Sequence, residues 1–144
     1  MKFFSDLISV AFIAGSALAE TIELAYPTTG TTITRGKTLT VEVQRPLAPM
    51  GCYELGIGLT ITSCATALSC PHPEAGPLGS VLYTGPFNPT AHQQGGYYQN
   101  FTVTIPDTDF LATGPGLFVL THACLLGAGP YPLMESRSVD VTIV

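Results

Sequence analysis

Cys52-Tyr53-Glu54-Leu55-Gly56-Ile57-Gly58-Leu59-Thr60-Ile61-Thr62-Ser63 alternates bulky apolar residues with small or polar ones over most of its length. Side chains on an extended chain point alternately to opposite faces, so this pattern marks a half-buried β-strand rather than a helix. The spacing predicts an inward set of Tyr53, Leu55, Ile57, Leu59 and Ile61, facing away from Glu54, Gly56, Gly58 and Thr60. The same period recurs on both sides. In residues 38–44, Leu39, Val41 and Val43 alternate with Thr40, Glu42 and Gln44; Phe101, Val103 and Ile105 alternate with Thr102 and Thr104; Val139, Val141 and Ile143 alternate with Asp140 and Thr142. Shorter strands are predicted over 22–26, 31–34 and 81–83. The continuous apolar run 117–126 reads as a central strand covered on both faces.

Turn residues separate these segments. Tyr26-Pro27-Thr28-Thr29-Gly30, Arg35-Gly36-Lys37, Pro46-Leu47-Ala48-Pro49-Met50-Gly51, Thr113-Gly114-Pro115-Gly116 and Gly127-Ala128-Gly129-Pro130 punctuate the chain too densely for long helices. Residues 70–80 and 85–96 read as irregular. About seven short strands with turn signals between them predict an all-β fold, an immunoglobulin/fibronectin-III-like β-sandwich.

The chain has 144 residues. At its start Lys2 precedes a mostly apolar stretch over 3–15, followed by Ala17-Leu18-Ala19, the small-x-small pattern of a signal-peptidase site. The reading is a signal peptide over 1–19 and one domain over 20–144. The apolar stretch is shorter than the ~20 residues that span a bilayer, so no membrane insertion is expected. Lys2 and Asp6 cancel, and the net charge of −5 belongs to the remainder. Its four basic residues, Arg35, Lys37, Arg45 and Arg137, form no stripe that would neutralise phosphates, and nucleic acid is excluded as a partner on that ground.

All four cysteines, Cys52, Cys64, Cys70 and Cys124, follow the leader. An even count on the oxidising secretory route reads as disulfides, and four cysteines allow three pairings. Cys64 with Cys70 would close a short loop and leave Cys52 with Cys124 as a long-range tie between two strands. The spacing favours this pairing without excluding the others.

No catalytic constellation emerges. His72, in Cys70-Pro71-His72-Pro73, would bind metal only if Cys64 and Cys70 were thiols. His92 lies in a Gln/Gly-rich loop. His122, inside the apolar run, reads as a hydrogen-bonded strand residue rather than a base. Asp107 and Asp109 follow Pro106 as turn formers and lack the oxygen donors of a calcium loop. A histidine-brace copper site would need histidine where cleavage exposes Glu20. The expectation is a monomeric, non-enzymatic protein without cofactor. Asn100-Phe101-Thr102 is an N-glycosylation sequon on the outward parity of its strand, whereas Pro89 blocks Asn88-Pro89-Thr90.

Several strings, in order, carry a resemblance: Tyr26-Pro27 with its Thr/Gly turn, Val41-Glu42-Val43-Gln44-Arg45-Pro46, Gly56-Ile57-Gly58, Thr62-Ser63-Cys64, and Cys70. They continue with Gly79-Ser80-Val81-Leu82-Tyr83-Thr84-Gly85-Pro86-Phe87-Asn88-Pro89, Tyr98-Gln99-Asn100-Phe101-Thr102-Val103, and Leu126-Gly127-Ala128-Gly129-Pro130. The chain resembles the fungal necrosis-inducing secreted effectors of the Nis1 family; Cys52 and Cys124 lie outside these strings. The resemblance implies an extracellular virulence protein, acting in the host apoplast or host cell. It would suppress plant pattern-triggered immunity by binding receptor-like kinases, with cell death in some cases. The alternatives weighed are a structural or glucan-binding fungal cell-wall module and a carbohydrate-active enzyme. The partner surface expected on physical grounds is aromatic-bearing loops holding Tyr83, Phe87, Tyr97 and Tyr98.

Overall fold

The computed structural model describes residues 22–47, 51–66, 70, 73, 76–93 and 96–144. The leader expected over 1–19 and His72 lie outside the described residues. Among the described residues nine strands form two sheets: β1 (Glu23–Tyr26), β2 (Thr31–Ile33), β3 (Thr38–Arg45), β4 (Cys52–Ser63), β5 (Ser80–Gly85), β6 (Thr90–His92), β7 (Gly96–Thr104), β8 (Gly114–Leu126) and β9 (Tyr131–Ile143). One sheet has the order β1-β3-β7-β6 and the other β2-β9-β8-β4-β5. Lettered in chain order, these are the A-B-E-D and A′-G-F-C-C′ sheets of an immunoglobulin sandwich, with β2 parallel to β9 as the A′ strand. The expected β-sandwich is therefore the fold, with more strands than the pattern predicted.

Alternation places the core where it was read in β3, β7 and the end of β9. Val41 opposes Phe101 and Leu39 opposes Val103 across β3 and β7. Val41, Val43, Phe101 and Val103 of the four-stranded sheet are buried with Leu59, Ile61, Phe118, Leu120, Val141 and Ile143 of the five-stranded sheet in one core. In the middle of the second sheet, Leu117, Phe118, Val119 and Leu120 are buried in succession, as expected of a central strand covered on both faces.

Three departures have physical causes. In β4 the register shifts between Glu54 and Gly56, so Leu55 is the extra residue of a bulge. The bulge reverses the parity before it: Tyr53 and Leu55 are exposed at 69 % and 61 %, while Cys52 and Glu54 turn inward beside Ile57, Leu59 and Ile61. Gly56 suits the bend, with φ at +148° and Gly85 O 2.8 Å from where a Cβ would stand.

Next, β9 begins at Tyr131, eight residues before the alternating stretch that marked it, because Glu135 and Arg137 occupy inward positions there. Pro132 is tolerated because β2 pairs only with 141–143, leaving β9 an edge at that end. Finally, the stretch read as irregular over 85–96 contains β6, whose three residues are all exposed, and β7 starts at Gly96. A fully solvated edge strand has no buried face to impose alternation.

Candidate functional site

The bulge at Leu55 and the polar inward face of β9 meet at His122. This histidine is 0 % exposed, on the inner face of β8 between β4 and β9. Nε2 lies 2.5 Å from Glu54 Oε2, and Nδ1 lies 3.0 Å from Glu135 Oε1. The ring meets Phe87 at 6.2 Å between centroids in a T-shaped contact. Arginines close both ends of the row. Arg45, on the opposite sheet, stands 3.5 Å from Glu54 Oε1 and donates to Cys52 O at 3.1 Å. Arg137 Nη2 donates to Glu135 Oε2 at 3.0 Å.

An ionised carboxylate only accepts hydrogen bonds, so an imidazole between two of them donates from both nitrogens and carries a proton on each. Burial pushes the imidazole's pKa down. The hydrogen bonds to Glu54 and Glu135, followed by the two carboxylate charges, outweigh burial and hold it above its ordinary value. Two carboxylates and three cations thus form a row that ties β3, β4, β8 and β9 together at one end of the sandwich. The sequence reading of His122 as a hydrogen-bonded strand residue agrees with this arrangement. It did not identify Glu54, Glu135, Arg45 and Arg137 as partners; the signal available was a histidine in an apolar run, which needs polar partners once buried.

Beside this row runs the Cys52–Cys124 disulfide, with Cα atoms 5.8 Å apart. Cys64 pairs with Cys70, with Cα atoms 4.8 Å apart. This is the pairing the spacing favoured. The longer bridge joins neighbouring strands of one sheet rather than crossing the sandwich.

The four aromatic residues expected on one partner surface are not brought together there. Phe87 is 1 % exposed, because the loop after β5 feeds its ring into the core. Tyr83 packs on Phe101 at 4.7 Å between centroids, and its hydroxyl donates to Pro86 O at 2.8 Å. Tyr97 and Tyr98 are consecutive in β7, so they point to opposite faces. Tyr97 is 45 % exposed, and Tyr98 stacks on His92 at 3.6 Å. The strand expected over 81–83 is β5, and residues 97–100, expected to be loop, are strand as well. Asn100 is exposed on the outer face of the four-stranded sheet opposite Glu42, as its parity predicted.

A different surface gathers apolar side chains. On the outer face of the five-stranded sheet, Tyr53, Leu55, Val81 and Met134 are each more than half exposed. Leu55 and Val81, with Leu78, wall an open groove of about 490 Å³ whose lining includes Gly56, Gly58 and Ala123.

Fold and bridges define a disulfide-stapled immunoglobulin-type sandwich, an architecture consistent with a secreted protein. The chain belongs to the Nis1 family, whose sequence model matches residues 17–142, and so to proteins of the necrosis-inducing effector kind. A search of the curated proteins gives no match.

Proposed function

We propose that this chain is a secreted fungal effector that works by binding rather than catalysis, covering a surface of plant receptor-like kinases and so damping pattern-triggered immunity. Family membership over nearly the whole chain supports the effector class. The observation that carries the binding mode is the exposed apolar face of Tyr53, Leu55, Val81 and Met134, on which Leu55 and Val81 border a groove lined by small residues. Exposed apolar side chains gathered on one face of a rigid sheet mark an interaction surface more often than scattered ones do. Small lining residues let a partner's side chains approach the sheet backbone.

The leader over 1–19 delivers the chain to the secretory route, where its bridges form and Asn100 receives a glycan. That glycan sits on the four-stranded sheet and leaves the five-stranded face open. The test is binding of purified, oxidised residues 20–144 to plant receptor kinase domains, with insoluble β-glucan as the control. Saturable kinase binding with reduced phosphorylation supports the reading. Sedimentation with glucan and no kinase binding assigns the protein to the fungal wall instead.

A further inference from the structure

The sulfurs of Cys52 and Cys124 and a ring nitrogen of His122 all lie within 4.8 Å of one another, and the three residues are buried. Glu54 shares this location: it is the cross-strand partner of Cys124 and stands two residues from Cys52 on the inner face of β4. Its Oε2 faces His122 Nε2. Its Oε1 is buried and makes no hydrogen bond among the described residues, with the Arg45 guanidinium 3.5 Å away. While the two sulfurs are bonded to each other they cannot act as thiolate ligands. Once reduced, they join an imidazole and a carboxylate in a donor set of the kind that binds Zn²⁺.

We propose that reduction of the Cys52–Cys124 disulfide converts this cluster into a buried Zn²⁺ site with Cys52, Cys124, His122 and Glu54 as ligands. Tetrahedral zinc, with ligand bonds of about 2.0–2.3 Å, holds its donors roughly 3.3–3.8 Å apart. The sulfurs must therefore part and the nitrogen draw in, by side-chain rotation on strands whose register is already fixed. Glu135 holds Nδ1 and is itself held by Arg137. That is the carboxylate–histidine support that orients a metal-bound imidazole through its other nitrogen. Nε2, turned towards Glu54 on β4, is the nitrogen that binds.

The chemistry balances with a cellular thiol of the glutathione class as reductant. Its thiolate attacks one sulfur of the bridge to form a mixed disulfide. A second thiol releases that disulfide, so two thiols are oxidised to one disulfide while Cys52 and Cys124 gain two electrons and two protons. Zn²⁺ then displaces both thiol protons and the Nε2 proton of the imidazolium, releasing three protons to solvent. Two thiolates and one carboxylate around Zn²⁺ leave one negative charge, which Arg45 faces. Metal binding at this cluster is separate from kinase binding. It supplies a second way of tying β4 to β8 in a reducing compartment.

The test uses the chain as secreted, reduced with a phosphine under inert gas and titrated with Co²⁺ and then Zn²⁺. The expected result is one Co²⁺ per chain with thiolate-to-cobalt charge-transfer and tetrahedral d–d bands, bleached by Zn²⁺. The oxidised chain should give no such spectrum. A Cys64→Ser/Cys70→Ser variant should keep the site and a Cys52→Ser/Cys124→Ser variant should lose it. Glu135→Gln should weaken affinity about 10–100-fold. If reduction unfolds the chain, Zn²⁺ should restore its β-sheet circular dichroism. A reduced chain without cobalt–thiolate absorption, or absorption that follows Cys64 and Cys70, overturns the proposal.

Discussion

Glu54 pairs in register with Cys124, yet its carboxylate reaches diagonally to His122 Nε2, 2.5 Å away. The diagonal exists because the bulge at Leu55 turns Glu54 inward; without it the carboxylate would point to solvent and Leu55 to the core. One inserted residue thus sets both the buried ionic row and the apolar surface of Tyr53 and Leu55.

Replacing His122 with Ala should destabilise the fold by about 3–5 kcal/mol, because it leaves two part-buried carboxylates without the cation between them. Replacing His122, Glu54 and Glu135 together with apolar residues of similar volume should recover much of that loss. Urea denaturation midpoints at neutral pH, with m-values compared, measure both effects.

The same row sets a pH dependence. His122 is held above its ordinary pKa of about 6.5 by Glu54 and Glu135, with Arg45 behind the first and Arg137 behind the second. The native state therefore keeps a proton that the unfolded chain releases. The stability this contributes is complete below about pH 6.5 and is lost as pH rises through the raised value in the folded state. Denaturation midpoints followed from pH 6 upwards (a range chosen about that ordinary value) should fall, and the fall should be absent in His122→Ala.

The two bridges should differ in worth. They enclose sequence separations of 72 and 6 residues. Chain entropy then predicts a contribution of about 4 kcal/mol for Cys52–Cys124 and about 2 kcal/mol for Cys64–Cys70. Paired serine variants, compared by calorimetry with the native chain, check the ratio.

Asn100 should carry an N-glycan when the chain is secreted by a eukaryotic host, since it is exposed on a sheet face. Asn100→Gln should remove the glycan mass and change folding stability by no more than about 0.5 kcal/mol. Intact mass before and after glycosidase treatment reads the first effect, and a melting curve reads the second.

How much of this was legible follows from burial. Val41, Val43, Phe101, Val103, Val141 and Ile143 obey strict alternation because one face of each strand lies on the core, and the sandwich could be read from them. The inward set of β4 was right at Ile57, Leu59 and Ile61 and wrong at Tyr53 and Leu55, since a period of two carries no signal of an inserted residue. Gly56 and Gly58, inside a strand pattern, were the available hint. Glu135 and Arg137 hid the first half of β9 because charged residues on inward positions look like loop. Phe87, between Pro86 and Asn88, looked exposed because its neighbours are turn residues, but a loop can deliver an aromatic ring to the core.

The proposed partner surface is the outer face of the five-stranded sheet. Val81→Lys and Met134→Glu replace exposed side chains, so each should leave the melting temperature nearly unchanged. The most direct measurement is equilibrium binding of the native chain, these two variants and Tyr98→Ala to plant receptor kinase domains. The native chain and Tyr98→Ala should bind saturably, and Val81→Lys and Met134→Glu should each lose tenfold or more, about 1.4 kcal/mol or above. Undiminished binding by both charged variants, or loss confined to Tyr98→Ala, would contradict this assignment of the surface.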